Sequence, residues 1–153
     1  MNYILLDIDG VLLKLSPWKS LIPLEDNFYA FESIPVQNLN KILNLNCQII
    51  LISSHRKRFS NIEWKSIFEN RGIISEIQIL ETNETLKFNQ ILDWVGSNSD
   101  KNYVIIDDDK RLSDLPKEIK ERFVLVDSYL GLTSDNVEKA INILNIKIQT
   151  DLF

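Results

Sequence analysis

Short apolar runs alternate with stretches of helical periodicity along this chain. The apolar runs predict buried strands, and the stretches between them carry apolar residues at the spacing of an amphipathic helix. Strands that alternate with helices in this way are typical of an α/β fold with a parallel sheet. The predicted strands are Tyr3–Ile8, Gln48–Ser53, Ile77–Leu80, Tyr103–Ile106 and Phe123–Val126.

The helical stretches also carry signals for where they begin and end. Gly72 is expected to cap the second helix, and Gly96 is expected to end the third. Thr133 or Ser134 is expected to cap the last helix, and residues 146–153 are expected to form a tail or a short edge element. The predicted helices are Val36–Leu45, Ile62–Arg71, Leu86–Val95 and the one that begins after this last cap.

Residues 12–35, called the excursion below, lack a clear period and include Pro17, Pro23 and Pro35. A long segment of this kind, leaving the first strand, often covers a functional site. We expect Trp18 to pack the excursion onto the core. No repeat or linker divides the chain, so residues 1–153 are expected to form a single domain.

The composition is that of an ordinary globular protein. Of the 153 residues, 44% are hydrophobic and 25% are charged, which is enough for a core. The net charge of −5 argues against general affinity for nucleic acid but allows a local basic patch. The only cysteine, Cys47, cannot form an internal disulfide, and neither a targeting signal nor an apolar span of about 20 residues is evident. A soluble cytoplasmic protein is therefore expected.

Acidic residues directly follow two of the predicted strands. Asp7 and Asp9 end the first apolar run, with Gly10 after them, and Asp107–Asp109 follow the fourth strand. Because residues two apart in a strand point to the same face, the first two carboxylates are expected to lie together and repel. A bound divalent cation is the usual compensation. The two acidic clusters can meet only if their strands are parallel neighbours, which predicts a metal site.

Four segments, in chain order, resemble the motifs of the haloacid dehalogenase-like (HAD) superfamily of phosphohydrolases: Asp7–Leu12, Ile49–Ser53, Lys87 and Val104–Asp108. A narrower resemblance is to the small, cap-poor HAD domain of bacterial RNA-repair proteins and to the phosphatase half of polynucleotide kinase-phosphatases. The resemblance implies a three-layer α/β/α sandwich with a Rossmann-like parallel sheet, strand order 3-2-1-4-5, and no separate cap domain. The narrower resemblance rests on Ser53–Arg56, Asp107–Asp109 and Gly131–Thr133.

The resemblance also implies which residues carry the chemistry. Asp7 would attack phosphorus and form an aspartyl-phosphate, and Asp9 would protonate the leaving oxygen and then activate water. Ser53 and Lys87 would bind the transferring phosphoryl oxygens, with Ser54 as the alternative to Ser53.

The implied cofactor is Mg²⁺. Its ligands would be Asp7, the backbone carbonyl of Asp9, and either Asp107 or Asp108, of which we favour Asp108. Gly10 would let the backbone bend away from the strand beside the bound substrate.

The charged run His55–Arg58 follows the second motif. Arg56 is expected to bind substrate phosphate through its guanidinium, although a solvated charged loop fits the run equally well. Nothing in the sequence pairs with His55, the only histidine, so an ordinary loop residue is expected there.

The leading hypothesis is a Mg²⁺-dependent phosphatase that acts through an aspartyl-phosphate. The gaps between the motifs are too short for a cap, and an open site suits a large substrate such as a phosphorylated nucleotide or polynucleotide end. Two alternatives stay open: a small-metabolite phosphatase closed by oligomerisation, and a non-catalytic HAD-fold binding or regulatory module. The intact Asp7 and Asp9 argue against the module, because without catalysis two repelling carboxylates have no use.

Overall fold

The structure is a computed structural model that describes residues 1–16 and 21–151. Trp18, expected to pack the excursion onto the core, lies outside the described residues.

A five-stranded parallel sheet forms the centre of the molecule, in the order β3-β2-β1-β4-β5. The predicted fold class and strand order are therefore confirmed. The first two strands end two residues earlier than predicted, at Leu6 and Leu51, because the chain turns there into the loops that build the site. The strands are β1 (Asn2–Leu6), β2 (Cys47–Leu51), β3 (Ile77–Ile79), β4 (Asn102–Asp107) and β5 (Phe123–Leu125).

The helices differ from the predictions at their ends, and the short helix Lys117–Lys120 is not among those predicted. The last helix continues to Asp151, so the predicted tail is wrong; residues 145–151 contain neither glycine nor proline to stop a helix. The third helix runs through Gly96 to Ser97. The first begins at Ser33, inside the excursion. The helices are α1 (Ser33–Leu43), α2 (Asn61–Glu69), α3 (Lys87–Ser97), α4 (Lys117–Lys120) and α5 (Ser134–Asp151).

Two of the predicted caps are present. Gly72 has a φ of +84°, and the amide of Ile73 donates to the carbonyl of Phe68 at 3.0 Å, which closes the end of α2. Before α5, the amide of Asn136 donates to Thr133 Oγ1 at 3.3 Å, and the amide of Thr133 donates to Asn136 Oδ1 at 2.9 Å. Thr133, and not Ser134, therefore caps α5.

Alternate residues of the strands supply two cores, one on each face of the sheet. Ile4 and Leu6 face α1, α2 and α5, whereas Leu5 faces α3 and α4. All three side chains are fully buried. This alternation produces the three-layer sandwich and leaves the carboxyl edge of the sheet between the two helical layers.

The excursion is anchored in its described part by one aromatic and one ionic contact. The Phe28 ring is fully buried, and its centroid lies 5.0 Å from that of Trp64 in α2. Arg71, just after α2, donates from Nη2 to Asp26 Oδ1 at 2.9 Å and from Nε to the carbonyl of Tyr29 at 2.7 Å. These contacts hold the excursion against α2.

None of the helices in residues 1–16 and 21–151 is long and apolar enough to cross a membrane.

Candidate active site

The register of the sheet brings the two acidic segments level with each other. β1 pairs with β4, and the last pair in the register is Leu6 with Ile106. The amide of Asp7 donates to the carbonyl of Ile106 at 3.0 Å, and Asp107 is the last residue of β4. Asp7 and Asp107 therefore follow the same pair of core residues at the carboxyl edge. The prediction that these two strands are parallel neighbours is confirmed.

Three carboxylates meet at this edge. Oxygens of Asp7, Asp107 and Asp108 all lie within 4.8 Å of one another, and Asp7 and Asp107 are buried. Lys87, the first residue of α3, reaches them from the helical layer: its Nζ lies 2.9 Å from Asp107 Oδ2 and 3.5 Å from Asp7 Oδ1. Among the described residues, the site thus sets three carboxylates against the single ammonium of Lys87.

This surplus of negative charge perturbs the titration of the carboxyls. Burial, and then the charge of Asp107, raises the pKa of Asp7 to about 9. Burial, with Asp107 again adding to it, raises the pKa of Asp108 to about 6. Burial alone would lower the pKa of Lys87, but the charges of Asp107 and Asp7 raise it overall. A divalent cation fits this set, because it would balance two uncompensated carboxylates.

The members of the acidic triplet differ in how their oxygens are used. Asp107 accepts from Lys87 Nζ through Oδ2 at 2.9 Å and from the amide of Asp109 through Oδ1 at 2.9 Å. Asp109 accepts from Arg111 Nε at 3.0 Å and from its Nη2 at 2.9 Å, and these bonds lower the pKa of Asp109. Asp108 is only half-buried. Since both oxygens of Asp107 are engaged, Asp108 is the better placed cation ligand of the two.

Gly10 leaves the space in which the Asp108 carboxylate lies. Its φ is +77°, and a Cβ built there would lie 2.1 Å from Asp108 Oδ2. No other residue fits this position without moving Asp108.

The Asp9 carboxylate is not a member of the buried cluster, contrary to expectation. β1 ends at Leu6, so the strand alternation that would place Asp7 and Asp9 on one face stops before it reaches them. Asp9 Oδ2 instead lies 2.9 Å from Nε2 of His55, in the loop after β2. His55 lies in a loop, as predicted, but it has a partner there that the sequence does not indicate. The only sign of this contact in the sequence is that Asp9 and His55 each follow a strand, and these two strands, β1 and β2, are neighbours in the sheet.

The two serines after β2 lie in different surroundings. Ser53 is fully buried, and its Oγ accepts from the amide of His55 at 3.1 Å. Ser54 is exposed. Burial therefore distinguishes them, and the role of either in binding phosphate stays a prediction.

Arg56 links the loop after β2 to the end of β3. It is buried, and it donates from Nε to the carbonyl of Leu80 at 3.0 Å and from Nη1 to that of Ser53 at 3.3 Å. Burial lowers the pKa of Arg56. These bonds give Arg56 a structural role, and its predicted contact with substrate phosphate stays a prediction.

The family model described as "HAD domain in Swiss Army Knife RNA repair proteins" matches residues 3–137. The chain therefore belongs to this family of HAD domains, and the match spans all the site residues above. Membership supports a function of the phosphohydrolase type. No significant match is found among curated proteins or among solved structures.

Proposed function

We propose that this protein is a Mg²⁺-dependent phosphomonoester hydrolase that acts through an aspartyl-phosphate intermediate. The observation that carries the proposal is the group of buried Asp7 and Asp107 with half-buried Asp108, in which Lys87 Nζ lies 2.9 Å from Asp107 and 3.5 Å from Asp7. Such a group is costly to bury unless a bound cation uses it.

The residues present fit a magnesium ion. Asp7 and Asp108 would hold it, with the backbone carbonyl of Asp9 as a third ligand, while Lys87 and the amide of Asp109 keep Asp107 in place. Gly10 contributes to this site because its missing side chain leaves room for the Asp108 carboxylate. When bound, Mg²⁺ screens the negative charge of the phosphate oxygens.

In the first step, an Asp7 carboxylate oxygen attacks phosphorus, and the bond from phosphorus to the leaving oxygen breaks. Lys87, 3.5 Å from Asp7 Oδ1, favours the ionised form of Asp7 that this attack needs. Asp9 gives its proton to the leaving oxygen, so an alcohol departs instead of an alkoxide. Ser53 and Lys87 donate to the phosphoryl oxygens on which charge develops.

In the second step, Asp9 takes a proton from water, and the water oxygen attacks the phosphorus of the aspartyl-phosphate. The acyl phosphate bond breaks, which releases inorganic phosphate and restores the Asp7 carboxylate. One side chain thus serves as acid and then as base. Its bond to His55 engages only one carboxylate oxygen, Oδ2, which leaves the other to carry the proton.

For the substrate, we infer a phosphorylated nucleotide or polynucleotide end. Nothing in residues 1–16 and 21–151 forms a cap domain over the carboxyl edge. The loop after β5 borders the site, since a Cβ on Gly10 would lie 3.0 Å from that of Ser128. The next residue, Tyr129, is 67% exposed, and an exposed aromatic residue in a loop that borders the site suits stacking on a base. The family description, which names RNA repair proteins, agrees with this class.

The activity is tested with 4-nitrophenyl phosphate, with and without Mg²⁺, on wild type and on Asp7→Asn. We expect Mg²⁺-dependent turnover in wild type, none in the variant, and a phosphorylated Asp7 in acid-quenched wild type by mass spectrometry. Asp100→Asn is the matched control, because Asp100 is exposed and precedes β4 at the opposite edge of the sheet. Near-wild-type turnover by Asp7→Asn would refute the covalent mechanism.

The substrate class is tested by comparing 3′- and 5′-phosphorylated oligonucleotides with sugar phosphates. We expect higher kcat/KM for the oligonucleotides. Tyr129→Ala is expected to raise KM for them and leave 4-nitrophenyl phosphate unaffected, while Tyr129→Phe, which keeps the ring, behaves as wild type. A preference for sugar phosphates would favour a small-metabolite phosphatase, and no turnover of any ester would favour a non-catalytic module.

A further inference from the structure

The Asp9 carboxylate has a specific partner in the loop after β2. His55 Nε2 lies 2.9 Å from Asp9 Oδ2, with the histidine side chain 23% exposed and that of Asp9 41% exposed. A half-exposed carboxylate at the end of a loop can adopt several rotamers in water. A hydrogen bond from a ring that is itself fixed would select one of them.

A second contact favours one position for the proton on the ring. Nη1 of Arg58 lies 3.5 Å from His55 Nδ1, on the side of the ring away from Asp9. A guanidinium can only donate, so Nδ1 must accept. The neutral imidazole then carries its proton on Nε2 and donates it to Asp9. The two neighbours therefore favour the same tautomer.

The ring and the guanidinium are held by aromatic side chains. The centroid of His55 lies 5.5 Å from that of Phe28, at an interplanar angle of 78°. The Arg58 guanidinium lies 5.5 Å from the centroid of Phe28 and 5.5 Å from that of Phe59. The amide of His55 also donates to Ser53 Oγ at 3.1 Å. Contacts from the excursion and from the loop after β2 thus restrict the ring.

We propose that His55 is a positioning residue that holds Asp9 in the orientation needed for proton transfer, and that Arg58 fixes the tautomer in which His55 does so. The inference rests on the proposed function, in which Asp9 is the general acid and base. His55 touches neither substrate nor the reacting phosphorus in this scheme and acts through Asp9 alone. The excursion takes part through Phe28, which packs against both the ring and the guanidinium.

The proposal predicts a dependence on the leaving group. Protonation of the leaving oxygen matters most when that oxygen is basic, so a misplaced Asp9 slows esters of poor leaving groups most. The ratio kcat/KM reports the first chemical step, in which the leaving group departs. If a substitution at His55 only loosened the loop after β2 and had no effect on Asp9, it would instead slow all esters alike.

The kinetic experiment measures kcat/KM for 4-nitrophenyl phosphate and for phenyl phosphate, whose leaving group is poorer. We expect His55→Ala to lower kcat/KM about tenfold for phenyl phosphate, a part of the general-acid contribution, and much less for the nitrophenyl ester. His55→Gln, whose amide can donate to Asp9, is expected to recover most of the loss. In the Asp9→Asn background, His55→Ala is expected to cost nothing further.

Arg58 is tested against a matched control in the same turn. Arg58→Ala is expected to show the same leaving-group pattern as His55→Ala, but more weakly. Lys57→Ala removes an equal charge from the adjacent exposed position and is expected to leave kcat/KM unchanged for both phosphate esters. A general charge effect would make the two variants alike and overturn the role assigned to Arg58.

A spectroscopic measurement tests the hydrogen bond without turnover. His55 is the only histidine, so a long-range ¹H–¹⁵N spectrum of the ring at fixed pH contains a single set of signals. We expect the Nε2–H tautomer in wild type and a changed Nε2 signal in Asp9→Asn. An Nδ1–H tautomer in wild type would overturn the proposal even if every variant folds poorly, and so would a signal that a folded Asp9→Asn leaves unchanged.

The failures of the two proposals can be told apart. Suppose that wild type shows Asp7-dependent turnover. If His55→Ala then lowers kcat/KM equally for both esters, or lowers it as much in the Asp9→Asn background as in wild type, only the role of His55 is overturned. If wild type shows no Asp7-dependent turnover, the proposed function fails and the catalytic role of His55 fails with it. The spectrum still decides whether the bond to Asp9 exists.

Discussion

Lys87 Nζ donates to Asp107 Oδ2 at 2.9 Å, which joins the first residue of α3 to the last residue of β4. This bond spans the boundary between a helical layer and the sheet, at the edge where the carboxylates converge. The same ammonium lies 3.5 Å from Asp7 Oδ1. One side chain therefore offsets the charge of two buried acids.

Lys87→Met keeps most of the apolar stem and removes this ammonium. We expect a loss of about 2–4 kcal/mol of transition-state stabilisation, the size found when one oriented donor is removed. The measurement is kcat/KM for 4-nitrophenyl phosphate at saturating Mg²⁺. Lys139→Met, on the exposed face of α5, is the control and should retain full activity. An unchanged kcat/KM in Lys87→Met would show that this lysine does not stabilise the transition state.

Mg²⁺ should stabilise the protein by mass action, because the folded cluster binds it and the unfolded chain hardly does. The gain is about 1.4 kcal/mol at ten times Kd, a shift of a few degrees in Tm. It is measured by thermal melts at fixed ionic strength, with and without Mg²⁺. Asp108→Asn is expected to shrink the gain, and Asp100→Asn to preserve it. Absence of any shift in wild type at millimolar metal would contradict the metal site.

Asp7→Asn provides a stricter test of the same site. A carboxyl whose pKa is raised to about 9 holds a proton in the metal-free folded protein at neutral pH, which the unfolded chain releases. The metal-free protein therefore loses stability as pH rises between the two pKa values. Since asparagine resembles the protonated acid, Asp7→Asn should be at least as stable as wild type without metal, and its melting temperature should not respond to Mg²⁺. Ordinary destabilisation would count against the crowded cluster.

Gly10→Ala is expected to disturb the site through Asp108. The added Cβ would lie 2.1 Å from Asp108 Oδ2, so we expect both a lower Tm and a smaller Mg²⁺ gain. Gly72→Ala separates backbone strain from the clash with Asp108, because Gly72 also has a positive φ, +84°, but no described atom lies within 4 Å of its Cβ position. Gly72→Ala should lower Tm and keep the full Mg²⁺ gain.

Gly96→Ala, in open space within α3, should raise stability by up to about 1 kcal/mol.

The ion pair of Asp26 and Arg71 should make stability depend on pH in acid. The hydrogen bond from Arg71 holds the pKa of Asp26 well below its usual value. A carboxyl with a depressed folded pKa contributes stability that is fully present above its unfolded pKa of 3.8 and is lost as pH falls toward the folded value. Asp26→Asn should therefore cost about 2 kcal/mol at neutral pH, the size of a hydrogen bond between charged groups, and much less in strong acid.

Urea unfolding at a series of pH values measures this dependence. Glu25→Gln removes a charge from the adjacent exposed position and serves as the control. A cost of Asp26→Asn that stays constant from neutral pH into strong acid would show that packing, and not the ion pair, holds the excursion on α2.

The central part of the site was accessible from the sequence because it depends on strand adjacency. Buried apolar runs identify β1 and β4, and two strands that both end in carboxylates need a shared cation only if they are parallel neighbours. The meeting of Asp7 with Asp107 and Asp108 follows from that adjacency.

The partner of Asp9 was not accessible in this way. Asp9 and His55 both lie in loops, and their contact depends on where β1 and β2 stop and on the positive φ of Gly10. Periodicity gives no information on such loop geometry. The predicted end of α5 is wrong for a related reason: helix ends depend on stop signals, and residues 145–151 contain neither glycine nor proline.

β1 and β4 pair residues that stand 100 positions apart in the chain. Closing so long a loop costs entropy before the contact stabilises the chain, so we expect the carboxylates to remain dispersed in early folding species. Mg²⁺ therefore has little to bind before the rate-limiting barrier is crossed. We expect the ion to slow unfolding and to leave the refolding rate almost unchanged, so that its main effect is on the lifetime of the native protein.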